Sequence, residues 1–180
     1  MSIIKKVVNS LKNDGIKGCV LKIKKYLKNE EKEEYYKWIK RNTPTKKELQ
    51  IQRKHEFKYQ PKISIVVPLY NTPKKYLLEL IKFVKKQTYS NWELCLADGS
   101  TTPLSYLEKI AQKDKRIKYK ILDENKGISG NTNEALKMVT GDYVALLDHD
   151  DLIPLNSLYE IVKAINENPD AEYLFTDEDK

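Results

Sequence analysis

Asp148, Asp150 and Asp151 fall within four residues of one another, directly after the apolar run Tyr143 to Leu147. Carboxylates so close repel one another, and keeping them at a strand end is costly unless a cation or hydrogen-bond donors offset the charge. A divalent ion does this well. Magnesium and manganese favour oxygen ligands and bind through one or two carboxylates together with substrate phosphates. Asp148 and Asp150 are therefore the candidate metal ligands, with Mn2+ or Mg2+ as cofactor. The competing explanation is a solvated acidic turn that caps a helix starting near Pro154. His149 alternates with the two acids and is expected to point elsewhere.

Two further segments could serve a phosphorylated ligand. Asp98 closes an apolar run and precedes Gly99-Ser100-Thr101-Thr102, a turn rich in backbone donors. Its carboxylate could accept hydrogen bonds from a base or a ribose, or it could close an Asx-turn before Pro103. Asn125-Lys126-Gly127-Ile128-Ser129-Gly130 leads into a helix whose free N–H groups would attract an anion. Neither a Walker loop nor Gly-x-Gly-x-x-Gly is present in that segment.

The elements that must position these residues follow from periodicity. Ile63 to Val67 is a continuous β-branched and apolar run, as in a strand covered on both faces. Pro68 is expected to end it. Asn71 or Thr72 would cap a helix with Pro73 in its first turn and Leu77, Leu80, Ile81 and Val84 as its buried stripe. Further strands are expected at Glu93–Ala97, Ile117–Ile121, Asp142–Leu147 and Glu172–Thr176. Further helices are expected at Pro103–Gln112, at 129–139 with Ser129 as cap and Gly141 just beyond its end, and at Pro154–Asn166. Strand and helix alternate about four times, which predicts a doubly wound α/β sheet with right-handed crossovers. Ligands bind such sheets beyond the carboxyl ends of the strands. All the chemistry-bearing segments fall there.

Taken in order, Ile63 to Asn71, Gln87-Thr88-Tyr89, Glu93 to Thr101, Asn125-Lys126-Gly127 with Asn133, and Asp148-His149-Asp150-Asp151 resemble family 2 glycosyltransferases. The resemblance covers about residues 61–180. It implies a GT-A fold, a Rossmann-like sheet that binds a nucleoside-diphosphate sugar. By the resemblance, Pro68, Tyr70 and Asn71 line the nucleotide pocket, Asp98 contacts the base, and Asn125, Gly127 and Asn133 belong to the donor site. Asp148 and Asp150 match the family's Asp-x-Asp element, which engages the ribose and, through a divalent cation, the diphosphate. Relatives often carry a second acid where Gly99 stands, so the base contacts are expected to differ. The general base of inverting relatives lies in a later, acceptor-binding part and is expected beyond Lys180. The segment 173–180, with Asp177, Glu178 and Asp179, resembles one that shapes the acceptor cleft. The implied activity is sugar transfer from a nucleotide donor, most readily UDP-linked, to a glycan or lipid-linked acceptor in cell-surface polysaccharide synthesis. The alternatives are a silent nucleotide-sugar-binding module without the acceptor half, and a nucleotidyltransferase, whose glycine-rich basic loop is missing.

Composition bounds the rest. The 180 residues accommodate one ordinary domain and an appendage. Residues 1–60 hold 17 Lys or Arg against 7 Asp or Glu, a surplus of +10, whereas the whole chain carries +7. Two electrostatically different parts follow: a basic helical extension over 1–60 and the nucleotide-sugar domain over 61–180. Ile3, Ile4, Val7, Val8 and Leu11, then Ile16, Val20, Ile23 and Leu27, recur at helical spacing among lysines. Residues 1–40 are accordingly a candidate for peripheral contact with an anionic membrane, or their stripes pack internally. A nucleic-acid partner is not expected, since the lysines lack interleaved arginines and an RNA-type aromatic motif. No run reaches the ~20 apolar residues of a spanning helix, and the start lacks a secretory pattern, so a cytoplasmic chain is expected. Cys19 and Cys95 share no metal or redox spacing and read as free thiols.

Overall fold

The computed structural model describes residues 32–176. The expected helices at 3–11 and 16–27, Cys19 and the acids 177–179 lie outside the described residues. The chain divides into two compact units, Met1–Thr45 and Lys46–Lys180. In the first, residues 32–42 are helical (α1), with Thr43 and Asn42 side chains returning hydrogen bonds to the Ile39 and Trp38 carbonyls.

The second unit runs α2 (Lys46–Lys54), β1 (Ile63–Leu69), α3 (Lys74–Lys85), β2 (Trp92–Asp98), α4 (Tyr106–Lys113), β3 (Ile117–Ile121), α5 (Gly127–Leu136), β4 (Tyr143–Leu146) and α6 (Ser157–Glu167). All pairings are parallel, in the order β3-β2-β1-β4. The chain builds outward from β1 to β3 and then returns to the other side of β1. That reversal creates a switch point between the carboxyl ends of β1 and β4, where the flanking loops part and leave a crevice.

Side-chain alternation makes the two layers. Ile63, Ile65, Val67 and Leu69 of β1, with Leu94 and Leu96 of β2, pack against Leu77, Leu80, Ile81 and Val84 of α3 and Leu158, Val162 and Ile165 of α6. Each such side chain contributes roughly 1.5–3 kcal/mol by leaving water. On the opposite face Val66, Cys95 and Ala97 meet Ala135 of α5. Burial pushes the Cys95 thiol up to about 11, so it stays an inert core group.

Several local expectations are corrected. Pro68 does not end β1, because its missing N–H faces the β4 side, where pairing has already stopped at Val66–Leu146. Residues 46–60, assigned from the sequence to the basic extension, contain α2, whose Glu48 and Arg53/Lys54 suit the two ends of the helix dipole. This segment belongs to the α/β unit: Phe57 is buried in the core, and Tyr59 exchanges two hydrogen bonds with Asn166. The compact boundary therefore falls at 45/46 rather than 60. Neither Asn71 nor Thr72 caps α3 through its side chain. Residues 171–176 form no strand, and Tyr173 and Phe175 are both 82 % exposed. The outer edge of the four-residue β4 offers them no completed ladder among the described residues. No helix among those residues is long and apolar enough to cross a membrane.

Candidate functional site

At the switch point lies a cleft of about 240 Å3, lined by Pro68, Leu69, Tyr70, Asn125, Gly127, Ile128, Asn131, Asp148, His149 and Asp150. Three segments far apart in sequence thus meet at one place: the end of β1, the start of α5 and the acidic turn after β4. The volume is below the ~300–1,000 Å3 of sites that enclose a drug-sized ligand, so it suits part of one.

The acidic turn is held from behind. The Asp151 N–H donates to the Asp148 carbonyl (3.2 Å), which folds residues 148–151 into a turn and ends the strand's alternation. His149 consequently lines the cleft beside the two acids, contrary to the expectation that it points away. Downstream, buried Gln87 donates Nε2 to the Pro154 carbonyl (2.7 Å) and accepts from the Leu158 N–H (3.1 Å). The Thr88 N–H donates to the Leu155 carbonyl (2.8 Å), and the Tyr89 hydroxyl to the Pro61 carbonyl (2.7 Å). Gln87 and Thr88 therefore clamp the chain that leaves the acidic turn, while Tyr89 ties the same segment to the entry of β1, and α6 starts at Ser157 rather than Pro154.

The Asp148 and Asp150 side chains are exposed and take no hydrogen bond or ion pair among the described residues. No group of three or more His, Cys, Asp or Glu side chains is gathered as a cation cage among those residues. Two unneutralised carboxylates on a cleft rim fit a magnesium- or manganese-type ion that completes its shell with ligand oxygens. They do not fit a closed structural site.

The loop before α5 is set by asparagine. Asn125 Oδ1 accepts from the Gly127 N–H (3.1 Å), which turns the chain into the helix, and α5 begins at Gly127 with Lys126 at its N-cap and no side-chain cap, not at Ser129. Gly127 has φ +72°, a conformation glycine adopts without strain. Asn125 and Gly127 reach the cleft as expected. Asn133 does not: it is exposed and lies two residues, about half a helical turn, from Asn131, which faces the sheet and is 2 % exposed. Asn131 is a buried polar lining residue missed from the sequence, beside Leu69, Ile128 and His149. Placing the helix start at Gly127 would have put position 131 on the buried face.

Asp98 and Asn71 are also placed differently. Asp98 is 1 % exposed, and its oxygens accept from the Ser100 N–H (3.0 Å), the Leu104 N–H (3.1 Å) and the Tyr119 hydroxyl (2.5 Å). Burial, then the hydrogen bond to this carboxylate, holds the Tyr119 phenol well above its ordinary value. Asp98 thus anchors the turn rather than the cleft wall. Asn71 sits at φ +50°; its N–H donates to Ser100 Oγ (2.8 Å), and its Oδ1 accepts from Thr101 N and Oγ1. It ties the β1 exit to the same turn.

Below the site, Glu93 is 1 % exposed and joins Lys62, Lys118, Ser64 and Thr140. Burial alone would raise its pKa, but the hydrogen bonds from Lys62, Thr140 and Lys118 outweigh that and hold it far below the usual carboxylate range.

Residues 64–178 match the family described as Glycosyl transferase family 2. An uncharacterized glycosyltransferase of Rickettsia conorii is 37 % identical over 134 residues, covering 73 % of this chain. The chain spans only 22 % of that relative's length. Among solved structures, TarS 1–349 of S. aureus in complex with UDP is 29 % identical with a TM-score of 0.55, over 60 % of this chain and 33 % of that one. The mannosyltransferase PcManGT of Pyrobaculum calidifontis, solved with GDP-Man and Mn2+, shares the fold at a TM-score of 0.52 and 23 % identity, over 65 % and 37 % of the two chains. The parallel sheet is that of the GT-A glycosyltransferases, and the chain belongs to glycosyltransferase family 2.

Proposed function

We propose that this chain binds a nucleoside-diphosphate sugar, most readily UDP-linked, at the β1/β4 switch point, and so forms the donor side of an inverting, metal-dependent glycosyltransferase. One observation carries the reading: the cleft joins an exposed aromatic (Tyr70, 46 % exposed), the N-terminus of a ten-residue helix and two unpaired carboxylates. Those are complementary to a base or ribose face, a diphosphate and a divalent ion respectively. Asp148 and Asp150 would hold Mn2+ or Mg2+. Bound there, the ion would neutralise charge on the departing diphosphate. Pro68, Tyr70, Asn125 and Gly127 bound the donor, whereas Asn71 and Asp98 act from behind by fixing the 99–104 turn. The general base and the glycan or lipid-linked acceptor site are assigned to regions outside residues 32–176, and the role to cell-surface polysaccharide synthesis in the cytoplasm.

Titrating the folded chain with UDP and, in parallel, with ADP tests the base and diphosphate assignment. UDP should bind at micromolar to submillimolar levels and compete with a UDP-sugar; equal, feeble binding of both nucleotides would refute it. Donor binding without transfer is the second reading: the cleft offers groups complementary to a nucleoside diphosphate, and no general base is assigned among the described residues. Release of UDP from a UDP-sugar by the chain alone would exclude it.

For the basic extension, peripheral contact with anionic lipid is supported by the 12 Lys or Arg against 5 Asp or Glu in residues 1–45, a surplus of +7, and by exposed Tyr36 and Trp38 on α1. Salt-insensitive co-sedimentation, identical for the full chain and a 46–180 fragment, would remove it.

A further inference from the structure

Three chain segments meet on one side chain beneath the cleft. Asn131 Nδ2 donates to the Leu69 carbonyl (3.3 Å) and to Asn125 Oδ1 (2.9 Å), while its Oδ1 accepts from the Lys126 N–H (3.0 Å). The same Leu69 carbonyl accepts from the Gly99 N–H at 3.0 Å. The loop before α5 is thereby linked to the end of β1 through a single carboxamide, and the end of β2 shares the Leu69 carbonyl with it. The ion pair of that loop, Lys126 Nζ with Glu134, joins it to its own helix.

Gly99 supplies the steric half. A Cβ at that position would lie 2.9 Å from Asn131 Nδ2, 3.2 Å from its Oδ1 and 3.1 Å from the Asn125 Cα. The carboxamide therefore occupies the space that a side chain at 99 would need. The missing second acid after β2 and the buried amide from α5 are two aspects of one arrangement, in which a neutral group stands at the cleft floor.

We propose that Asn131 is a positioning residue of the donor cleft, coupled to Gly99, and that it sets the Asn125–Gly127 loop against the end of β1. The proposal rests on the cleft being the nucleotide site. Truncation to alanine removes all three hydrogen bonds and frees the loop from the sheet. Asn131→Asp keeps the volume and the acceptor for Lys126, but it cannot donate to Leu69 and adds a negative charge under the diphosphate.

Two measurements on the full chain test it. In ligand-free protein, amide exchange read by NMR should speed up at least tenfold at Lys126 and Gly127 in Asn131→Ala, with Lys126 still protected in Asn131→Asp. In titrations with UDP and Mn2+, Asn131→Ala, Asn131→Asp and Gly99→Ala should each weaken binding about tenfold, and Gly99→Ala should cost nothing more when combined with Asn131→Ala. Unchanged Lys126 exchange in Asn131→Ala, or an equal Gly99→Ala penalty in both backgrounds, overturns the coupling. A wild-type chain that takes up no UDP overturns the nucleotide assignment instead, and the exchange data still decide whether Asn131 holds the loop.

Discussion

Replacing Glu93 by glutamine preserves shape and removes only the charge at the foot of the sheet. In the native chain Glu93 accepts from Thr140 N (2.6 Å), Thr140 Oγ1 (2.8 Å) and Ser64 Oγ (2.8 Å), and it faces the ammonium groups of Lys62 and Lys118, the latter at 2.9 Å. In Glu93→Gln one oxygen survives to serve Ser64 and the Thr140 N–H. The other becomes an NH2 group confronting three donors. Leaving one side of a buried ion pair uncompensated costs about 3–5 kcal/mol; both lysine side chains are about a third exposed and can turn to water, which favours the lower end. The sign with pH follows from the depressed folded-state pKa: the contribution is complete above the ordinary value of 4.5 and is lost as pH falls through the folded-state value. Urea unfolding followed by circular dichroism at pH 7 should show Glu93→Gln less stable by about 3 kcal/mol. Below about pH 4.5 the gap should close, by at most about 1.4 kcal/mol per pH unit for one proton. A gap under about 1 kcal/mol at pH 7, or one that stays constant down to pH 3, would refute the reasoning.

Gly141→Ala would put a Cβ 2.5 Å from the Lys62 carbonyl oxygen and from Ser64 Oγ. The backbone must yield, so a loss of roughly 1–3 kcal/mol is expected in the same unfolding assay. Gln87→Ala deletes the bonds to the Pro154 carbonyl and the Leu158 N–H, and it should destabilise by about 1–3 kcal/mol. It should also weaken metal-dependent UDP binding, read by calorimetry, because the chain leaving the acidic turn loses its clamp. Tyr119→Phe removes the hydroxyl bond to Asp98; thermal unfolding should report a loss of about 1 kcal/mol, with Leu104 still held by the carboxylate.

The sheet was legible because parallel strands buried on both faces, such as Ile63–Val67, read as unbroken apolar runs, and because the α3 stripe keeps strict helical spacing. The positions of the acidic pair and of Asn125 and Gly127 followed from the rule that ligands gather at carboxyl strand ends. What stayed hidden depends on orientation. Whether position 131 or 133 faces the sheet turns on where α5 begins, and it begins at Gly127, two residues before the Ser129 expected to cap it. Asp98 and Asn71 carry the polar groups expected of ligand contacts, yet tertiary packing spends those groups on the 99–104 turn. The role of Gln87 as a cap for α6 joins residues 71 positions apart in sequence, a distance at which local propensity carries no information. A strand at 172–176 needs a neighbour, and pattern alone cannot supply one.

Calorimetric titration of UDP with and without Mn2+, on the wild-type chain and on Asp148→Asn/Asp150→Asn, tests the donor-site claim most directly. Mn2+ should strengthen UDP binding at least tenfold in the wild type, and this gain should vanish in the double variant while its circular dichroism spectrum is unchanged. The same Mn2+ gain in both proteins, or none in a folded wild-type sample, would contradict it.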